Sequence, residues 1–458
     1  MAGTINVFLL VFRDLGTGAA LVQREELREE LTSSVFYVNC LLGILLTAIA
    51  YFGSPLAAAF FREPQLIPVM QALSFTFFTS SLAVVQSALL DRALAFNKVA
   101  AVELIGALAG TTTGVSLAVS GFGVWSLVSA TLVNSVTTTT GLWIVCPWRP
   151  KLLFDMEAIR SIARYTMNLS GATLVNYFAR NADNLIIGRF LGSTALGYYQ
   201  MAYNIMLYPL QNVSFTLGRV MMPAISKLQN DHPRFRSVYF RANATIALLT
   251  FPMMLGLMVI VRPFFLTVLG PQWLPVVPLL AIFCPIGLVQ SIITNVGGIY
   301  RAKARTDLMF KWGSIATVLY VASFFAGIPW GIVGVAACYA IVVIGLVYPL
   351  LRIPFRLIEL PVGEFLKGLL PVLLASGAMA AVVLFVRIGL DSLGLRPVVE
   401  LLILVAIGIA GYILALRWFQ PRVIWGVIDL LSSMGKQRVS ALIQRMVGHR
   451  RAPVVAGI

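Results

Sequence analysis

The chain has 458 residues, of which 59% are hydrophobic and only 11% are charged. Soluble domains carry about 25% charged residues, so the composition excludes an ordinary soluble protein and indicates a membrane protein with many transmembrane helices. The formal net charge of +16 does not indicate a nucleic-acid partner. The Lys and Arg residues lie between apolar runs, where membrane proteins place them on the cytoplasmic side.

Apolar runs of the length that a bilayer requires, about 20 residues, recur from one end of the chain to the other. They predict transmembrane helices near residues 3–22, 34–60, 66–89, 99–120, 124–146, 164–187, 194–217, 241–262, 275–299, 308–328, 331–350, 366–387 and 397–416. The predicted fold class is an all-α membrane protein with about 13 transmembrane helices. Residues 417–458 predict a cytoplasmic tail, amphipathic or disordered, because basic and apolar residues alternate in it.

The connections between these spans carry unequal numbers of basic residues. Most of the 34 Lys and Arg residues fall in one alternating set, which comprises residues 23–33, 90–98, 147–164, 218–241, 300–311, 351–367 and the tail. The positive-inside rule assigns that set to the cytoplasm. The C-terminus is then cytoplasmic, and an odd number of spans places Met1 on the other side.

Metal and catalytic motifs are missing from the sequence. The four cysteines lie in apolar segments without CxxC spacing, and the two histidines are isolated in polar segments. We therefore expect no metal centre and no cofactor. A membrane polymerase or another enzyme would need a catalytic set and an outer domain, and the sequence predicts neither.

Four stretches resemble one known family. They are "RDLGTGAALVQR" (13–24), "ALLDRALAFNKVA" (88–100), "NYFARNADNLIIGRFLGSTALGYYQMAYNIMLYPLQNV" (176–213) and "VMMPAISKLQND" (220–231). They are similar to the polysaccharide transporter family, the Wzx-type flippases of lipid-linked oligosaccharides in the multidrug/oligosaccharidyl-lipid/polysaccharide exporter superfamily. The similarity runs through the whole chain, and the branch it points to serves colanic acid and succinoglycan-like exopolysaccharides.

The resemblance implies two helical lobes around a central cavity. We expect an N-terminal lobe at residues 1–150, a C-terminal lobe at 151–352, two additional transmembrane helices at 353–416 and the tail at 417–458. It also implies the substrate, undecaprenyl-pyrophosphate-linked oligosaccharide repeat units that are flipped by alternating access across the bacterial inner membrane. Members of the family usually have fourteen spans, so we expect the first span of that pattern to be missing here.

The expected partners follow from the same resemblance. They are the lipid-linked oligosaccharide, membrane lipids, and the polymerase and chain-length regulator of the same exopolysaccharide or lipopolysaccharide pathway, with no nucleic acid. Two other functions stay open, a cation-coupled multidrug exporter on the same fold and a non-transporting subunit of an export complex. The drug exporter would need an acidic cavity for cationic drugs, and the sequence has few acids within its spans.

A polar face on the span near 164–187 is the main candidate site. Asn176, Arg180 and Asp183 share a stripe about 120° wide at helical spacing. Charges in the bilayer interior are costly and usually face a watery cavity or a partner. Arg180 and Asp183 either form an i,i+3 ion pair near the end of the helix, or they line the cavity. In the cavity, Arg180 would hold a pyrophosphate or an acidic sugar.

Charged residues elsewhere in the spans give further candidates. Arg13 and Asp14 lie near the inner end of the first span, where Arg13 either reaches the cytoplasmic interface or contacts substrate. Glu103 lies about one turn inside its span. It either meets Lys98 at the surface or binds a coupling proton or cation.

Uncharged polar and aromatic residues complete the predicted site. Gln290 and Asn295 form a polar patch that serves either hydrogen bonding between helices or the path of the sugar. Among the tyrosines after residue 194, Tyr198 and Tyr199 fit an interfacial belt. Tyr203 lies deeper in the span and is the better candidate for stacking on sugars.

The topology can be tested with introduced cysteines. Cysteines at Asn230 and Arg305 should be shielded from impermeant thiol reagents in intact cells, because the charge pattern places both positions in the cytoplasm. Cysteines at Gly270 and Ser392 should be labelled. Labelling at Asn230 in intact cells would overturn the orientation.

Overall fold

The computed structural model describes residues 17–23, 27–157, 159–160, 181–215, 217–218, 225, 228, 231–303, 305–391 and 396–419. These residues form helices joined by short turns, and no β-strand occurs among them. The chain divides into two compact units, Met1–Leu196 and Gly197–Ile458. The predicted all-α membrane fold is confirmed. The predicted lobe boundaries after residues 150 and 352 stay a prediction.

The first unit is a bundle of antiparallel helices. Its helices are α1 (Thr17–Gln23), α2 (Glu29–Phe61), α3 (Leu66–Ser81), α4 (Val84–Arg92), α5 (Phe96–Val119) and α6 (Val124–Val145). Residues 181–190 are helical as well. The turn between α5 and α6 requires positive φ at Gly121 (84°) and Gly123 (54°), which glycine adopts without steric cost.

One predicted span of the first unit is broken in the structure. Residues 66–89 were expected to form one helix, but α3 and α4 meet at an angle of 42° after Ser81. The hydroxyls of Ser80 and Ser81 donate to carbonyls three residues earlier, at 3.3 and 2.8 Å. Serine hydroxyls that bond back to the helix in this way commonly bend it.

The segment after α6 packs on the start of α2. The N–H groups of Lys151 and Asp155 donate to the hydroxyls of Ser33 and Ser34, at 3.2 and 2.7 Å. The Lys151 ammonium also pairs with the Glu29 carboxylate. These bonds hold the segment that follows α6 against the beginning of α2.

The second unit begins within α7 (Gly192–Pro209), which a π-turn (Leu210–Ser214) continues. Its other helices are α8 (His232–Val268), α9 (Val277–Ile293), α10 (Val296–Ala302), α11 (Thr306–Gly327), α12 (Gly331–Arg356), α13 (Val362–Asp391) and α14 (Pro397–Phe419), with 3-10 turns at Pro271–Val276 and Ile328–Trp330. The Asp231 side chain caps α8 by accepting the Arg234 N–H at 3.1 Å. Fully buried Phe235, Tyr239, Phe355 and Phe365 form the centre of this unit's core.

The described part of the chain contains seven segments long and apolar enough to cross a membrane, or eight if the bent α3–α4 pair counts as one span. One of the seven, Asp307–Arg356, is 50 residues long and includes both α11 and α12. The chain is therefore a multi-pass membrane protein. The number of thirteen spans stays a prediction.

Prolines inside two helices leave carbonyl groups without the usual donor, because proline has no N–H. Pro252 and Pro263 of α8 free the carbonyls of Leu248 and Val259, and Pro55 of α2 frees that of Tyr51. Each carbonyl accepts a side-chain hydrogen bond instead, from Tyr412 Oη at 2.7 Å, Arg387 Nη1 at 2.6 Å and Ser54 Oγ at 2.7 Å, respectively. Residues of α14 and α13 thus complete the hydrogen bonding of α8.

The bond from Tyr412 can be tested with a double-mutant cycle. Tyr412→Phe should lower the free energy of unfolding by about 1–3 kcal/mol, since it leaves the Leu248 carbonyl without a donor in apolar surroundings. In a Pro252→Ala background the same change should cost much less, because alanine at that position supplies the missing N–H. Thermal melts of the purified protein give the measurement.

Tyr348→Phe is the matched control, because Tyr348 is 55% exposed and its hydroxyl makes no hydrogen bond within the described part of the chain. If Tyr412→Phe lowered the free energy of unfolding equally in the wild-type and Pro252→Ala backgrounds, the missing N–H of Pro252 would not explain the contribution of the Tyr412 hydroxyl.

Candidate functional site

The described residues of each unit line an open cavity, and the two cavities differ in chemistry. The cavity of the second unit measures about 980 Å³ and is almost entirely apolar. The cavity of the first unit measures about 360 Å³ and has many polar side chains. We call them the apolar groove and the polar cavity.

The apolar groove lies between α7, α8, α13 and α14. Its wall consists mainly of aliphatic side chains of α8 and α14, with Tyr208, Pro209, Phe264, Met379 and Val383 from the ends and the neighbouring helices. The polar side chains on the wall are Asn204, Tyr208 and Tyr412. A surface of this kind suits a hydrocarbon chain, since burying a polar ligand against it would leave hydrogen bonds unmade.

Small residues and prolines make room for the groove. Gly256 of α8 and Gly408 of α14 face it, and a Cβ at either position would meet only Met379 Cε (3.6 Å) or Val383 Cγ2 (3.5 Å). α7 ends at Pro209, and a π-turn follows at Leu210–Ser214. π-Turns within helices often mark functional sites. Tyr412 holds α14 against α8 beside Pro252, so one side of the groove is fixed.

The polar cavity lies between α3, α4, α5 and α6. Its lining is mostly hydroxyl-bearing side chains together with one amide and one carboxylate: Thr76, Ser80, Ser87, Glu103, Thr131, Asn134, Ser135, Thr138 and Thr139, with Ala83, Val84 and Leu142. Glu103 is exposed. The structure thus places Glu103, one of the predicted site residues, among polar neighbours from three other helices.

Glycines of α5 bring α6 close enough to form this cavity. A Cβ at Gly110 would lie 2.7 Å from the Ala130 carbonyl oxygen, and one at Gly106 would collide with Thr138. Small residues four apart allow such close helix packing in lipid. As a result, Asn134 and Thr138 of α6 lie directly beside the α5 backbone.

Four predicted site residues lie outside the described residues: Arg13, Asp14, Asn176 and Arg180. Their roles stay predictions. Asp183, the third member of the predicted stripe, is described and 7% exposed. Its Oδ1 accepts the backbone N–H of Asn184 at 2.8 Å.

The helix that carries Asp183 packs on the end of α2. A Cβ at Gly188 would lie 2.8 Å from the Phe61 ring, and the Arg189 guanidinium lies 5.5 Å from the centre of the Phe60 ring. Arg189 therefore contributes a cation–π contact within the first unit.

Tyr203 lies in an aromatic cluster of the second unit. Its ring stacks on Tyr199, with centroids 6.2 Å apart, and meets the edge of Phe283 at 5.7 Å. The apolar groove receives Asn204 and Tyr208 from the same helix instead. These two residues are four apart and so share a helix face. Tyr199 and Tyr203 are also four apart, so spacing alone does not identify the face that lines the groove.

Gln290 and Asn295 also lie in the second unit. Gln290 Nε2 donates to the Tyr339 hydroxyl at 3.1 Å, which links α9 to α12. Asn295 is 6% exposed, and its Oδ1 lies where a side chain at Gly218 would go. Neither residue lines the apolar groove or the polar cavity.

Comparison with known proteins gives concordant matches. Residues 1–278 match the family described as "Polysaccharide biosynthesis protein". The teichuronic acid biosynthesis protein TuaB of Bacillus subtilis is 27% identical over 425 residues, which cover 91% of this chain and 87% of that protein. The lipopolysaccharide biosynthesis protein WzxC of Escherichia coli is 29% identical over 316 residues, covering 69% of this chain and 64% of that protein.

The fold has a counterpart among solved structures. The lipid II flippase MurJ, in an inward closed conformation, superposes with a TM-score of 0.74 at 19% sequence identity, over 91% of this chain and 90% of that one. At this identity the match shows the fold and leaves the cargo to be argued from the residues.

Proposed function

This chain belongs to the polysaccharide biosynthesis protein family, and on that premise we propose that it moves lipid-linked oligosaccharide repeat units across a membrane for polysaccharide assembly. Among its relatives, the succinoglycan biosynthesis transport protein ExoT of Rhizobium meliloti is named as a transport protein. MurJ, which shares the fold, is named as a flippase of lipid II. The cargo in our proposal is likewise a saccharide attached to a lipid.

The apolar groove is the observation that carries this proposal. Its 980 Å³ lie at the upper end of the range of about 300–1,000 Å³ that small-molecule sites occupy. Its wall offers almost no hydrogen-bonding groups, so it favours a hydrocarbon chain over a sugar or a soluble metabolite. A transporter of lipid-linked sugars needs such a surface for the lipid part of its cargo.

We extend the proposal to the membrane and the carrier. The excess of basic residues in alternate connections supports a cytoplasmic C-terminus in a bacterial inner membrane. The sequence resemblance supports undecaprenyl pyrophosphate as the carrier lipid. It also supports alternating access as the mechanism and a polymerase and chain-length regulator as partners.

Filling the groove should block transport. Gly408→Phe adds a large side chain on the groove wall beside Val383, so the cargo lipid loses its site. In the producing bacterium, exported polymer should fall several-fold while the amount of protein in the membrane stays the same.

The matched control is Gly411→Phe on the same helix, where a Cβ meets no atom within 4 Å and which does not line the groove. It should leave export unchanged. Normal export by Gly408→Phe, with the protein present at normal abundance, would remove the groove from the mechanism.

We propose that Arg180 binds the pyrophosphate headgroup of the cargo. Arg180→Ala should abolish export at nearly normal protein abundance, since the planar guanidinium can donate two parallel hydrogen bonds to a phosphate. Arg180→Lys should restore export only in part, because lysine keeps the charge and loses the fork. Export and membrane abundance are measured together.

The ion-pair alternative predicts another pattern. Arg180→Ala and Asp183→Ala would each lower protein abundance, and the double variant would recover it. That result would assign the pair to folding and not to cargo.

A further inference from the structure

Three of the connections that the charge pattern assigns to the cytoplasm meet at one group of charged side chains in the second unit. It consists of His232 and Arg236 in the first two turns of α8, Lys303 at the end of α10, and Glu359 in the turn between α12 and α13. We call these four residues the charge cluster. None of them lines the apolar groove, so the proposed site of the cargo lipid does not explain them.

Contacts within the charge cluster hold its basic side chains in place. Lys303 Nζ lies 2.9 Å from His232 Nε2 and 5.7 Å from the centre of the fully buried Phe235 ring. Arg236 donates through Nε to the His232 carbonyl at 3.4 Å and through Nη1 to the Glu359 carbonyl at 2.9 Å. Because an ammonium group can only donate, His232 Nε2 accepts from Lys303. The imidazole then carries its hydrogen on Nδ1, the nitrogen that faces the Glu359 side chain.

The Glu359 side chain shows that an anion fits between His232 and Arg236, but it is held loosely there. Its Oε1 lies 3.5 Å from His232 Nδ1, and its Oε2 lies 3.9 Å from Arg236 Nη2. Both distances exceed the range of about 2.7–3.2 Å that N–H···O hydrogen bonds occupy. The side chain is also 67% exposed. Another anion can therefore reach the same two nitrogens and replace the carboxylate.

The backbone of Glu359 is a second, independent sign that this residue has a role beyond its turn. Its φ is 54°, in the left-handed region that favours glycine. The Glu359 N–H donates to the Arg356 carbonyl at 3.3 Å, and the Leu360 N–H donates to the Phe355 carbonyl at 2.9 Å. Glycine usually takes this position after a helix end, so the turn itself does not require a glutamate. Residues held in such conformations cluster at binding sites and switches.

From this arrangement we propose that His232 and Arg236 form a binding site for a phosphoryl dianion, and that Glu359 closes the site until such a group replaces its carboxylate. The charges favour a dianion, because Arg236 and Lys303 carry two positive charges and Glu359 carries one negative charge. A phosphoryl group has about two negative charges and three acceptor oxygens, so it can accept from His232 Nδ1 and Arg236 Nη2 together. Lys303 is a positioning residue that keeps the hydrogen on Nδ1. A soluble phosphate and a lipid headgroup share this chemistry.

The test is isothermal titration calorimetry of inorganic pyrophosphate into the purified full-length protein in detergent. Glu359→Gly removes the competing carboxylate and suits the left-handed backbone. It should raise the affinity at least about fivefold over the wild type, because a site that its own side chain occupies becomes available. Adding Arg236→Gln to Glu359→Gly should lower the affinity at least about tenfold, because a charged donor is lost.

Two further variants separate the carboxylate from the backbone. Leu94→Gly is the matched control, since Leu94 follows α4 with a φ of 55° and the Ala95 N–H donates to the Leu90 carbonyl at 2.9 Å. It relieves the same kind of backbone strain in the first unit and should leave the affinity at the wild-type value. Glu359→Gln keeps the strained backbone and loses the charge, so it should raise the affinity as Glu359→Gly does.

A cluster that only joins α8, α10 and the turn after α12 predicts different results. Pyrophosphate would then bind neither the wild type nor Glu359→Gly, or it would bind both equally, and either result would refute the site. An affinity that Arg236→Gln leaves unchanged would refute it as well.

Competition against pyrophosphate distinguishes the two sources of the phosphoryl group. If the site serves a lipid headgroup, dioctanoyl phosphatidate should displace pyrophosphate at lower concentrations than glycerol 3-phosphate, which has no acyl chains. If the site serves a soluble phosphate, the two competitors should act equally. None of these measurements requires transport, so the proposed function is judged separately.

Discussion

Main-chain carbonyls that lose their usual donor to a proline determine three side-chain contacts in this protein, two of them between helices. In lipid there is no water to replace a missing donor, and prolines create missing donors at chosen positions. In each of the three cases described above, a side chain donates to the freed carbonyl. Ser54 belongs to the same helix as its acceptor, whereas Arg387 and Tyr412 belong to other helices. Through the last two bonds, α13 and α14 become part of the second unit's core helix α8.

The same constraint shapes both cavities. In the second unit, the Tyr412 hydroxyl donates to the Leu248 carbonyl. The wall of the apolar groove, to which Tyr412, Gly256 and Gly408 belong, therefore stays almost purely apolar. In the first unit, the hydroxyls of Thr76 and Thr131 donate to backbone carbonyls, so their oxygens remain as acceptors in the lining of the polar cavity. One physical rule thus gives an apolar surface in one unit and a surface rich in oxygen acceptors in the other.

The sequence predicts the helices well because apolar runs of bilayer length are a local signal. The spans expected near 308–328 and 331–350 correspond to α11 (Thr306–Gly327) and α12 (Gly331–Arg356). The helix expected at 241–262 extends to His232–Val268. Its start is amphipathic, so hydropathy misses it, whereas Asp231 and Pro233 mark it chemically. The break between α3 and α4 was not predicted, because the apolar run of residues 66–89 continues through it.

The candidate site was harder to predict, because it depends on which helices meet. Glu103 was identified as an unusual charge within a span, yet its neighbours come from α3, α4 and α6 and share no sequence pattern with it. The apolar groove has no sequence signature at all, since its residues are ordinary members of apolar spans. Tyr203 was favoured for its depth in the span, but depth does not determine direction, and its ring packs on Tyr199 and Phe283.

Two arginines outside the basic set of connections, Arg189 and Arg387, already contact neighbouring groups. Arg189 lies on the Phe60 ring, and Arg387 donates to the Val259 carbonyl. A guanidinium used in this way cannot present its full fork to a phosphate without giving up a contact that holds helices together. The headgroup hypothesis is therefore weak for these two residues. For Arg180 the hypothesis stays a prediction from the sequence, in which the expected stripe with Asn176 and Asp183 makes exposure to lipid costly.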